Sequence, residues 1–125
     1  TTEDEFFHRV VLGGQRPLFA GAWEGRLGIS EPEDGPGTDW GAWARRVRVD
    51  LPQAQAYAAA VFAATEAWLV AAMPADLDRE VSMGPGRPSM PLAGFVANVL
   101  CNHVANHTGE ISALKGQQGL KGYPF

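Results

Sequence analysis

Between Pro91 and Lys115 apolar residues return every three or four positions, and this run limits what the chain can become. Leu92, Phe95, Val96, Val99, Leu100, Ile111 and Leu114 share one stripe of a helix with 3.6 residues per turn. Pro91 suits its first turn, and Gly116 is expected to cap its end. Such a stripe has to be covered by other elements, so a helical core is required. A second long helix is predicted from Asp50, as N-cap, to about Ala72, with Pro52 tolerated in its first turn and Pro74 as its stop. Its stripe is Ala54, Tyr57, Ala58, Val61, Ala64, Thr65, Trp68 and Leu69. Glu3 to Leu12 reads as a short helix with Phe6, Phe7, Val10 and Val11 on one face. Its first turn is acidic, as the helix dipole favours, and Gly13-Gly14 ends it. Trp40 to Trp43 is expected to make a helical turn capped by Thr38 or Asp39. Residues 15–37 and 80–91 are rich in Gly and Pro and are expected to be irregular.

These elements describe one all-α domain over residues 1–125, a length that suits a single hydrophobic core. One short and two long helices make an incomplete four-helix bundle. The missing helix is expected upstream of Thr1, which makes the chain N-terminally incomplete, or from another chain, as in a homodimer. Lys and Arg number 10 against 14 Asp and Glu, a net charge of −4, which gives no electrostatic case for nucleic acid. The one basic cluster, Arg45, Arg46 and Arg48, reads as a solvated helix end. The single cysteine, Cys101, excludes an intrachain disulfide and is expected to be a small buried hydrophobe; a cytoplasmic location follows as an expectation. The apolar stretch Ala54 to Met73 carries Gln55, Thr65 and Glu66, so it is read as a core helix and not a membrane span.

The chemistry lies on the last helix. His103, His107 and Glu110 interrupt its apolar stripe at spacings of four and three, which places them on one face. The flanking apolar residues are expected to aim that face into the core. Burying two imidazoles and a carboxylate there costs several kcal/mol unless they are paired or bound to a metal. Two histidines one turn apart can share an ion about 2.1 Å from each nitrogen. The same spacing also suits two core histidines that merely hydrogen-bond to backbone or to Glu110. Glu110 is a candidate further ligand, an acceptor for a ring N–H of His107, or a base. His8 is expected to be exposed or capping. Trp23, Trp40, Trp43 and Trp68 are expected to pack, with Trp23 at a pocket rim.

The segment His103-Val104-Ala105-Asn106-His107-Thr108-Gly109-Glu110-Ile111, followed by Leu114, Gly116 and Gly119, resembles the last helix of the DinB superfamily. It is most similar to the branch with DUF664 and mycothiol-dependent proteins. Phe6 to Gly14 resembles the end of that family's second helix, and Leu51 to Asp78 its third helix and exit. The resemblance implies a DinB-like four-helix bundle whose first helix has no counterpart in this chain. It implies a divalent metal held by His103 and His107, zinc first and nickel, iron or manganese as alternatives. A third histidine is implied at or before residue 1. The implied activity is thiol S-transfer, with a low-molecular-weight thiol of the mycothiol type, an electrophilic small molecule and Glu110 as the catalytic residue. A non-catalytic binding or stress scaffold and a metal-dependent hydrolase stand as alternatives.

Overall fold

The computed structural model describes residues 1–32 and 37–123 and divides into two compact units, Thr1–Ala71 and Ala72–Phe125. The expected loop positions Gly35 and Pro36, and the tail residues Pro124 and Phe125, lie outside the described residues.

In the first unit, α1 (Thr2–Phe6) runs on into a π-helical turn, Phe7–Val11. Phe7, Val10 and Val11 are buried, as their spacing predicts, and Phe6 is half-buried. A 3-10 turn follows at Leu18–Ala20. Then comes α2 (Trp40–Arg46), whose cap is Asp39: its carboxylate accepts the Ala42 N–H at 2.9 Å. The long α3 (Leu51–Ala71) starts where expected, with Asp50 Oδ1 accepting the Gln53 N–H at 3.2 Å. Tyr57 and Val61 are the buried positions of its stripe; Trp68 is half-buried and sets its ring edge-on to Phe7 at 6.3 Å between centroids. Leu69, read as part of that stripe, is 42% exposed.

Gly28 ties the irregular segment to α3. Its φ is +74°, and its carbonyl accepts the Asp50 N–H at 2.8 Å. A Cβ here would lie 2.6 Å from the Asp50 carbonyl oxygen and closer still to the Ala54 nitrogen. Both neighbours are helix backbone and cannot swing away. Gly28→Ala is therefore expected to cost about 1–3 kcal/mol from the left-handed backbone alone, with the clash added to it. A lowered urea midpoint at unchanged m-value would register this.

The second unit opens with α4 (Pro74–Asp78), with Pro74 at its first position. Residues 80–91, read as irregular, instead form a hairpin: β1 (Glu80–Ser82) pairs antiparallel with β2 (Ser89–Pro91), Val81 facing Met90. Gly84 and Gly86, at φ +134° and +75°, make the turn, and the Ser82 hydroxyl donates to the Gly84 carbonyl at 3.1 Å. The Gly-Pro-Gly segment is thus a turn between strands, and the strands are too short to show alternation in sequence.

A helical run then extends from α5 (Leu92–Phe95) through a π-helical segment, Val96–Cys101, into α6 (Asn102–Gln117). Among the described residues of this unit, Val81, Leu92, Phe95 and Leu100 are the buried apolar ones. The helix ends two residues beyond Lys115. Gly119, at φ +72°, supplies the left-handed cap instead of Gly116: the Leu120 N–H donates to the Lys115 carbonyl at 2.9 Å and the Gly119 N–H to the Gly116 carbonyl at 3.0 Å. Apart from the small hairpin, the regular structure is helical, so the fold is all-α as expected. Among the described residues, no helix is long and apolar enough to cross a membrane.

Candidate metal centre

His103, His107 and Glu110 lie within about two turns of α6, and the structure brings all three together. The two Nε2 atoms stand 3.1 Å apart, with ring centroids at 4.4 Å and ring planes 87° to each other. On its other side the His107 ring donates Nδ1–H to Glu110 Oε2 at 2.8 Å. That partner assigns the His107 proton to Nδ1, so in the neutral ring Nε2 carries the lone pair. It then accepts the Nε2–H of His103.

The cluster is not buried as its sequence context predicts. His103 is half-buried, the His107 side chain is 57% exposed and that of Glu110 68% exposed. Ile111 and Leu114 are 59% and 56% exposed. Apart from one position, the residues of α6 are exposed or half-buried on every face. The apolar stripe that buries Leu92, Phe95 and Leu100 does not continue through His107. Downstream, the buried position of α6 is Ser112, against which Gly122 of the C-terminal segment packs.

Two other residues depart from their sequence reading. Cys101 is exposed and is not a core hydrophobe. His8 is buried, 6% exposed, and neither caps nor faces solvent. Its Nδ1 lies 2.8 Å from Asp4 Oδ1 and 3.0 Å from the Asp4 carbonyl oxygen. Asp4 itself is fully buried. Its Oδ1 accepts the Leu18 N–H at 3.0 Å, and its Oδ2 accepts the Phe19 N–H and the Tyr57 hydroxyl, each at 2.8 Å. Burial, and then the Asp4 carboxylate that accepts its proton, push the Tyr57 hydroxyl far above the usual phenol range. Sequence reading missed this hub, because an aspartate in a first helical turn reads as a dipole partner facing water. Trp23 packs 5.8 Å from the Tyr57 ring with the Arg26 guanidinium 5.3 Å from its own centroid. Trp40, also expected to pack, is 56% exposed, and Trp40 and Trp43, not Trp23, line a cavity of the first unit.

Among the described residues, no group of three His, Cys, Asp or Glu side chains could hold a metal. The donors on α6 are therefore two ring nitrogens, with Glu110 engaged on His107. A DinB superfamily model matches residues 1–111, a span that includes both histidines and Glu110. The chain belongs to the DinB superfamily. The all-α fold agrees with that membership. No curated protein and no solved structure matches this DinB-superfamily chain.

Proposed function

We propose that this DinB-superfamily chain is a divalent-metal-dependent thiol S-transferase, with His103 and His107 as metal ligands. The observation that carries the reading is the 3.1 Å separation of the two Nε2 atoms. Two nitrogens bound to one zinc at about 2.1 Å and a tetrahedral angle stand about 3.4 Å apart, so the rings need little movement to share an ion once the His103 proton passes from Nε2 to Nδ1. Their donor type suits zinc, nickel, iron or manganese. Glu110 acts as a positioning residue: it holds the Nδ1 proton of His107 and so keeps Nε2 free as a donor atom. A metal held there by His103 and His107 would supply Lewis acidity, the chemistry that lowers the pKa of a thiol. The exposure of His107 and Glu110 supports an approach of co-substrate to this face, and in this reading the Glu110 carboxylate would also take up the thiol proton.

The thiol class, a low-molecular-weight thiol of the mycothiol type, and an electrophilic small molecule as its acceptor come from the resemblance of the His103–Glu110 segment to mycothiol-dependent proteins. A homodimer belongs to the same proposal, supported by the exposed Ile111 and Leu114 on the helix that bears the site. The second reading, a non-catalytic DinB-like scaffold, is favoured by the lack of a third ligand beside the two histidines among the described residues.

Thiol conjugation separates the two. With mycothiol, a chlorinated nitrobenzene and zinc-loaded protein, conjugation is expected to exceed the rate without protein. It should fall to that background in His107→Ala. Equal rates with and without the protein contradict the transferase reading. Glu110→Gln is expected to weaken zinc binding by about tenfold to a hundredfold, the usual cost of losing the partner of a ligating histidine. Competition with a chromogenic chelator measures it.

A further inference from the structure

The unit Thr1–Ala71 holds a cavity of about 470 Å³ that the proposed metal chemistry does not use. Its walls are aromatic, from Phe19, Trp40, Trp43 and Tyr57, and aliphatic, from Leu27 and Ile29. We infer that this cavity is a binding site for an uncharged, planar aromatic small molecule.

Its volume falls within the range of small-molecule pockets, about 300–1,000 Å³, and its walls have the apolar, aromatic character of such sites. Two walls are held in place by one atom. Asp4 Oδ2 accepts both the Phe19 N–H and the Tyr57 hydroxyl at 2.8 Å. A buried carboxylate with fixed donors does not let those groups drift, so the space between the rings is preformed. Trp43 is fixed from another side, its Nε1–H donating to the Pro32 carbonyl at 3.2 Å. Trp40 sets its ring edge-on to Trp43, with centroids 5.9 Å apart, yet stays 56% exposed. A large indole left in water at the mouth of an apolar cavity gains by being covered, and a flat π-system gives it a stacking partner. The lining residues, which also include Thr1, Thr2 and Pro32, carry no charged side chain, so a charged ligand would lose hydration without a counter-charged side chain there. The Tyr57 hydroxyl is committed to Asp4 and adds no charge of its own. Thr1 and Thr2 are the hydroxyl-bearing side chains among its walls besides Tyr57.

The test uses the full-length protein and prodan, a neutral naphthalene dye whose emission moves to the blue in apolar surroundings. Saturable binding at a single site is expected, with energy transfer from tryptophan and no change on metal chelation. Trp40→Ala and Leu27→Gln are each expected to weaken it at least about tenfold, since each removes wall area. Val70→Ser, which alters an apolar side chain 82% exposed outside the cavity, should leave it unchanged. Circular dichroism of each variant confirms that it is folded. Unsaturable binding, or equal loss in Val70→Ser, overturns the site. So does unchanged binding in folded Trp40→Ala and Leu27→Gln. Equal affinity for the anionic dye 8-anilinonaphthalene-1-sulfonate overturns the uncharged ligand class.

Discussion

Alanine at Asp4 is expected to cost the protein about 3–5 kcal/mol, because it removes one partner of a buried charged network and leaves the others behind. The Leu18 and Phe19 amides and the Tyr57 hydroxyl lose their acceptor at once, and His8 Nδ1 keeps only the Asp4 carbonyl oxygen. Asparagine should do less damage. It keeps one carbonyl oxygen but turns an N–H toward donors, at about 1–3 kcal/mol. Urea unfolding followed by far-ultraviolet circular dichroism gives both values. A loss below 1 kcal/mol for Asp4→Ala would mean that the hub carries little of the stability assigned to it here.

The second large effect concerns the histidines of α6. His103→Ala and His107→Ala are each expected to lower zinc affinity by roughly a hundredfold or more. Binding free energies of about 10–16 kcal/mol at four-ligand sites correspond to about 3 kcal/mol per ligand. His8→Ala is the contrasting variant. It should leave affinity unchanged, since His8 Nδ1 is spent on Asp4 inside the core, and act on stability instead. Equilibrium dialysis against buffered zinc distinguishes the variants. Equal losses in all three would mean that the effect is folding and not ligation.

The long helices were legible because their signals are redundant. Asp50 and Pro74 bound α3 from outside, Pro52 sits in its first turn, and Tyr57 and Val61 repeat at helical spacing inside it; these signals agree with the structure. The hairpin at residues 80–91 was not legible, because three-residue strands carry no period and Gly84-Pro85-Gly86 reads equally well as loop. The mutual approach of His103, His107 and Glu110 was legible from spacing alone, since helix geometry fixes neighbours at three and four. Their exposure was not. Ile111 and Leu114 repeat at helical spacing like core residues yet stand 59% and 56% exposed, and spacing alone does not tell a covered stripe from an open one. Asp4 shows the converse. Its partners Leu18, Phe19 and Tyr57 lie 14, 15 and 53 residues away, beyond the reach of any local motif.

The metal centre is tested most directly by nitrogen-15 NMR of the histidine rings as zinc is added. Both Nε2 resonances, of His103 and of His107, are expected to move to metal-bound positions at one zinc per chain, while His107 Nδ1 keeps its proton against Glu110 and the His8 signals stay in place. Ring signals of His103 and His107 that remain unchanged at saturating zinc would contradict the account.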